Sequence, residues 1–439
     1  ATGTHDTIMM RRNMLTVSGH LRSIIRFFPA VLALALLASP PLSAEKTKPA
    51  AKKKAAVPVV EKLVVYPARL ELSGKRDSRR LIVSGTTADG RAFDLSTFIK
   101  LAAGSDHVSI DRDGFVVPKK VGKTTVKVTV GKKSIDVPVE IKDVTNHPVS
   151  FIREVIPAIS KVGCNAGTCH GAQKGKRGFK LSLRGYDPLF DYRALVDDLS
   201  GRRFNRSRPE QSLMLLKPTQ GVPHEGGFLF DEKSRTYSVF QQWIAEGCRF
   251  DSAKRVVRIE IFPKKPLLET VDSQQQLIVV AHFPDGTSRD VTRDAVFETS
   301  DFEVATVSKT GRIEAVRRGE AAALVRYEGL YAAAPVAIIG DREGFAWQAA
   351  PERNYIDKLV NAKLQRMKIL PSGTCSDAEF LRRASIDLTG LPPTVEQVKA
   401  FLADKRPVIE KRNAKIDQLI GSPQFIEHWT LKWSDLLLS

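Results

Sequence analysis

Two stretches of the chain alternate apolar and polar residues with the two-residue period of half-buried strands. The first covers residues 61–142, through "KLVVYPARLEL", "RLIVSGTTADG", "TTVKVTVG" and "KSIDVPVEI". The second covers 255–340, through "VVRIEIFPKKPLLE", "QLIVVAHFPDGTSRDVT", "GRIEAVRRGEAAALVRY" and "APVAII". Turn signals such as "DG" and "VGK" separate the runs. Elsewhere the period lengthens to that of a helix. Phe151, Ile152, Val155, Ile156 and Ile159 fall on one helical face, as do Val239, Phe240, Trp243 and Ile244. Ile356, Leu359, Val360 and Leu364 repeat the pattern further on, and Ser376 and Thr394 stand as N-caps on either side of a break at "TGLPPT". Near the start, Arg11, Arg12, Arg22 and Arg26 precede the apolar "FFPAVLALALLAS" and the small-residue "PPLSA". That order predicts an export signal over 1–44, cut after Ala44, followed by a Lys/Ala/Pro linker over 45–60.

The two alternating stretches are one module used twice. "ADGRAFDLS" aligns with "PDGTSRDVT", and "SDHVSIDRDGFVVPKKVGKTTVKV" with "SDFEVATVSKTGRIEAVRRGEAAALV"; Asp94 and Asp290 lie 196 residues apart. The opening strands "KLVVYP" and "RIEIFP", the "DG...DVT" hairpin and the Gly-punctuated run after it resemble the group 2 bacterial immunoglobulin-like domain. The resemblance implies a β-sandwich of about seven short strands at 61–143 and again at 255–341. It implies spacing or adhesion, and no residue of either copy reads as catalytic.

Between the copies, 145–253 has a different chemistry. It holds "KVGCNAGTCHGAQ", with two of the four cysteines of the chain. A c-type haem needs two thiols for its vinyl groups and a histidine beside the second thiol, usually as C-x-x-C-H. Cys164, Cys169 and His170 give C-x-x-x-x-C-H, with Gly167 available to bulge the turn. The same residues allow a Cys164–Cys169 disulfide in an oxidising compartment, or a zinc site completed by Cys248 or His224. The whole segment, from "VGCNAGTCHGAQKGKRGFKLSLRGYDPLFDYRAL" through "SLMLLKPTQGVPHEGG" to "WIAEGC", resembles the planctomycete-type cytochrome c domain. That resemblance implies one covalent haem c on Cys164 and Cys169, with His170 as proximal ligand. It departs from the family at the distal position, where Val222 replaces the expected Met and cannot ligate iron. His224 and Met214 are the candidates, with an open site as the other outcome. Bis-His ligation would give a lower potential than His/Met. Cys248 reads as a buried or free thiol.

Charge narrows the partners. The formal charge is +19; residues 1–60 hold nine Lys/Arg and two acids, which leaves +12 on the remainder. Outside the cytoplasm such a balance favours an acidic redox protein, a polyanionic glycan or an envelope surface over nucleic acid, and no nucleic-acid motif is present. No span beyond the signal segment is long and apolar enough to cross a bilayer. Residues 352–439, with "FLRRASIDLTGLPPT" and "ID.LI.SP.F...W...W.D", resemble the start of the domain of unknown function that accompanies these cytochrome domains. The chain reads as truncated there. Arg382, Arg383, Asp387, His428 and Asp435, set inside apolar patterns, are expected to form buried ion pairs or part of a site. The expected architecture is multidomain: two all-β immunoglobulin-like sandwiches flanking an all-α cytochrome c-like domain, then an α-helical C-terminal region. The expected function is exported haem binding and electron transfer, with a glycan-binding envelope scaffold as the alternative. No acid pair or nucleophile triad points to direct catalysis.

Overall fold

The computed structural model describes residues 59–340, 342 and 344–438, all within one compact unit. The predicted export signal and the linker up to residue 58 lie outside the described residues. The first β-module comprises β1 (Lys62–Tyr66), β2 (Leu70–Ser73), β3 (Arg79–Arg80), β4 (Ile82–Thr86), β5 (Ala92–Asp94), β6 (Lys100–Ala103), β7 (Val108–Ile110), β8 (Phe115–Pro118), β9 (Gly122–Val130) and β10 (Lys133–Asp143). Its sheets run β1-β4-β5, β2-β10-β9-β6 and β3-β8-β7, with β2 parallel to β10. The second module repeats this strand for strand. It has β11 (Arg258–Phe262), β12 (Leu267–Leu268), β13 (Gln274–Gln276), β14 (Ile278–His282), β15 (Ser288–Asp290), β16 (Val296–Thr299), β17 (Ala305–Val307), β18 (Arg312–Ala315), β19 (Gly319–Tyr327) and β20 (Leu330–Ile338). Its sheets run β11-β14-β15, β12-β20-β19-β16 and β13-β18-β17, with β12 parallel to β20.

Each module thus has ten described strands rather than about seven. Pro67 and Pro263, with no N–H for a ladder, end β1 and β11. Leu81 and Leu277, fully buried, mark the points where one extended run changes sheet, dividing β3 from β4 and β13 from β14. Each module closes on its own core, around Leu72, Val83, Val116 and Val128 in the first and Leu277, Val279, Ile313 and Val325 in the second.

The inserted segment is built from short helices: α1 (Ile156–Lys161), α2 (Pro188–Val196), α3 (Leu213–Leu216) and α4 (Arg235–Ala245). A widened turn at Phe151–Val155 leads into α1. Pro157 explains it, because Pro157 cannot donate to the Arg153 carbonyl. That carbonyl instead accepts the Tyr327 hydroxyl of the second β-module at 3.2 Å. The apolar face read from sequence turns inward: Phe151, Val155, Ile156, Ile159, Phe240, Trp243 and Ile244 are all buried. The Phe151 and Trp243 rings sit 5.2 Å apart, and Trp243 Nε1 donates to the Arg249 carbonyl at 2.9 Å.

The C-terminal region is helical: α5 (Tyr355–Arg366), α6 (Asp377–Thr389), α7 (Val395–Ala403), α8 (Val408–Ile420) and α9 (Pro423–Leu437). Ser376 and Thr394 cap α6 and α7 through the N–H groups of Glu379 and Gln397. Two expectations are corrected here. Ile356, Leu359 and Val360 are exposed; α5 docks through its C-terminal end, where Met367 packs on Ala337 and Ile339. Arg382, Arg383, Asp387 and Asp435 are also exposed and form no buried ion pairs. The sheltered charges are Lys411 and Arg412, which meet Asp377 at 2.5 and 2.7 Å. His428 is half-buried against Gly390, and its Nε2 is buried without a partner. Among the described residues no helix is long and apolar enough to cross a membrane.

The two β-modules meet through reciprocal contacts. Asp290 Oδ2 accepts the Arg80 backbone N–H at 2.8 Å, and Asp94 Oδ2 accepts the N–H of Gln276. Arg80 and Gln276, like Asp94 and Asp290, are 196 residues apart. Tyr66 and Phe262, again 196 apart, stack on each other with centroids 4.3 Å apart. Equivalent residues contacting each other's partners define an isologous interface, here between two copies in one chain. The helical insert closes onto both copies at Glu154. Its carboxylate accepts from Arg76 Nε (2.8 Å) and Nη2 (3.0 Å) of the first module, and lies 3.8 Å from Arg289 of the second.

Candidate functional site

The segment from Cys164 to His170 is a compact turn hung from the end of α1. The Cys164 N–H donates to the Ile159 carbonyl at 3.1 Å, Ala166 to Gly163, Cys169 to Ala166, and His170 back to Cys164 at 3.0 Å. Two successive turns, 163–166 and 166–169, take up the two extra residues between the cysteines. Asn165 is buried at the centre: its Nδ2 donates to Ser160 Oγ at 2.8 Å and its carbonyl accepts the Arg184 N–H. Gly171 lets the chain fold back this tightly, since a Cβ there would lie 2.1 Å from the Asn165 carbonyl oxygen.

The two thiols are close enough to feel each other's charge. Burial pushes Cys164 up to about 12, and Cys169 adds to the shift. All four cysteines are free thiols. Cys248 lies in the helical core, fully buried, with Tyr192 Oη donating to its carbonyl. Among the described residues no group of three His, Cys, Asp or Glu gathers to hold a metal ion.

His170 is half-buried, and its Nδ1–H donates to the Phe179 carbonyl at 2.9 Å. That bond fixes the tautomer and leaves the ring lone pair on Nε2. Burial holds the imidazole below its ordinary pKa, which keeps it neutral; the Phe179 carbonyl works against that, and the nearby His224 and Arg203 work with it. The Phe179 ring lies between His170 (4.5 Å) and the Arg203 guanidinium (4.0 Å). Gly175, at φ +66°, brings the Phe179 carbonyl close; a Cβ there would be 2.3 Å from it.

His224 repeats this arrangement on the opposite loop. Its Nδ1–H donates to the Gly227 carbonyl at 3.0 Å, again leaving the lone pair on Nε2. Glu225 ties that loop to the first, pairing with Arg177 and with Lys176 at 3.4 Å. The fold therefore brings Cys164, Cys169, His170 and His224 into one neighbourhood. Met214 sits in α3, packs against the same helical core as Cys164, and donates its N–H to the Arg203 carbonyl at 3.3 Å. Sequence reasoning missed the Phe179 and Gly227 carbonyls, because a backbone acceptor carries no side-chain signature. Glu225 was visible beside His224, but its pairing across 48 residues was not.

Residues 355–439 match the family model PSCyt2, described as a protein of unknown function (DUF1549). No curated protein matches the chain. Similar solved structures include domains 5-6 of the S-layer protein SbsC, at 11% identity and a TM-score of 0.26, covering 64% of this chain and 99% of that one. Domains 4 and 5 of SbsC match at 10% identity and a TM-score of 0.18, covering 58% and 89%. Extracellular domains 3-5 of Drosophila OTK match at 9% and 0.13, covering 64% and 61%. At such scores these likenesses carry no argument about what the protein does.

Proposed function

We propose that residues 145–253 form an exported mono-haem c-type module, held between immunoglobulin-like sandwiches, that passes electrons to or from a redox partner. The observation that carries this is the matched pair of histidines. Each spends Nδ1–H on a backbone carbonyl and keeps Nε2 for a ligand, and the loops bearing them are tied by Glu225. The residues present fit the group: Cys164 and Cys169 would hold the porphyrin, and His170 and His224 its iron. When bound, the haem supplies one-electron transfer. The chain's part is to fix both imidazole tautomers, keep His170 neutral, and shelter Cys164.

The test is expression with a haem-maturation system. The expected result is a pyridine haemochrome spectrum and haem retained on a denaturing gel. Replacing His224 with Met is expected to raise the potential, because thioether ligation favours the reduced iron. A folded, exported sample without covalent haem would return the case to an envelope scaffold. An unchanged potential in His224→Met would remove His224 as ligand.

A further inference from the structure

A second site lies on the outward face of the second β-module. There β16, β19 and β20 align side by side, so that Val296, Arg326 and Tyr331 form one cross-strand row and Glu298, Leu324 and Ala333 the next. These rows floor an open cleft of about 430 Å³, within the roughly 300–1,000 Å³ range of small-ligand sites. Arg184 of the helical insert overhangs it and donates from Nη1 to Tyr331 Oη at 3.0 Å. Arg184 holds φ +59°, a conformation unfavourable for a side-chain-bearing residue, and its N–H is fixed on the Asn165 carbonyl.

Among the described residues the charges in this cleft form no ion pair, although Glu298 favours the charge of both Arg184 and Arg326. Arg326 is half-buried; burial and the neighbouring Arg184 disfavour its charge, while Tyr331 and Glu298 favour it. Glu298 is exposed and lies beyond ion-pair distance of either arginine. Tyr331 leaves 63% of its surface in solvent. A comparable cleft of about 410 Å³ between β19 and α5 differs in this respect. There Lys363 pairs with Glu320 at 2.8 Å, and Arg318 donates to the Met367 carbonyl.

We propose that this cleft binds an acidic sugar, a uronate or sulfated residue of a glycan. Two guanidinium groups line the same cleft, and an anionic group bound there would take charge-assisted bonds from them. The Tyr331 ring and the Leu324–Ala333 floor offer an apolar surface to the C–H face of a pyranose. Glu298 and Tyr331 Oη accept or donate to its hydroxyls. The site is independent of haem, and its test needs none.

The full chain is titrated calorimetrically with a galacturonate trisaccharide, a sulfated disaccharide, a neutral trisaccharide of glucose and a short single-stranded oligonucleotide. One or both acidic saccharides should bind, with the neutral one at least about tenfold weaker. Arg326→Gln should raise Kd about tenfold or more, the equivalent of one charge-assisted bond. Arg184→Gln, which keeps the backbone bond to Asn165 and removes the side-chain bond to Tyr331, should do the same without touching the core of the β-module. Equal binding of neutral and acidic sugars, an unchanged Kd in Arg184→Gln, no binding of either acidic saccharide, or tighter binding of the oligonucleotide would each overturn the proposal.

Discussion

Glu154 is where the helical insert meets both β-modules, and removing it tests whether those three act as one body. Glu154 is 5% exposed in its side chain, while Arg76 is 20% exposed. Burial alone would push the carboxyl up, but the Arg76 hydrogen bond and the Arg289 and Arg76 charges hold it below the ordinary carboxylate range. Removing one partner of such a pair costs about 3–5 kcal/mol. The low end applies here, because Arg76 keeps hydrogen bonds to Asn146 Oδ1 and to the carbonyls of His147 and Pro148. Glu154→Ala should therefore cost about 3 kcal/mol in urea unfolding, and Glu154→Gln about 1–2 kcal/mol, since the amide keeps one acceptor. A double-mutant cycle with Arg76→Ala should give a coupling of about 2 kcal/mol. The pH sign follows from the lowered pKa. The contribution is present above the unfolded carboxylate pKa and is lost as pH falls through the folded value. A cycle with coupling near zero, or a wild-type advantage over Glu154→Gln that does not shrink as pH falls below the ordinary carboxylate range, would refute the reasoning.

Asp191 accepts from the Ser182 N–H and hydroxyl, and burial raises it to about 6 from an ordinary 3.8. The folded state takes up the proton first, so its contribution to stability should grow by up to about 3 kcal/mol as pH falls from 7 to 4; Asp191→Asn should flatten that slope in urea titrations. Burial pushes the Cys164 thiol up to about 12, so it stays protonated at pH 8. Thiol-labelling kinetics followed by peptide mapping should find it the slow member of the Cys164/Cys169 pair, and Gly171→Ala, which forces the turn apart, should speed it. Asp94→Asn and Asp290→Asn should each cost about 1–3 kcal/mol, because an amide NH₂ then faces a backbone N–H across the interface. Their double variant should cost less than the sum in chemical unfolding, since either change alone parts the same reciprocal contact.

The strands were legible because alternation is a local property. "GKTTVKVTV" and "GEAAALVRY" bury alternate residues toward their C-terminal ends in β9 and β19 alike. The helical insert was legible for the same reason, its apolar face being continuous from Phe151 to Ile159. What the sequence hid is tertiary. Nothing local in "NYIDKLVNAKLQRMKI" says that Ile356 and Leu359 stay in solvent while Met367 docks. Nothing in "FLRRASIDLTG" says that its arginines face outward while Asp377, at the start of the same helix, gathers Lys411 and Arg412 from α8. At the candidate site the side chains could be named from their order, and the carbonyls that orient them could not.

The contacts of the second β-module change what the repeat does for the site. A tether would leave the inserted segment free of both copies, joined only by peptide bonds. Instead Lys161, three residues before Cys164, donates its ammonium to the carbonyls of Ala295 and Lys309 and stands over the Phe297 ring. Burial there lowers its pKa to about 8, a desolvation cost that persists only where the surrounding structure holds the group in place. Beyond the turn, Arg184 clasps Asn165 with its backbone and Tyr331 with its side chain. The turn that presents Cys164, Cys169 and His170 is thus held on both flanks by the same β-module. That module is in turn held against its own copy by Asp94 and Asp290. The arrangement makes the geometry of the site a property of the whole assembly, so the helical segment excised alone would lose both anchors of its turn before it lost any part of its core.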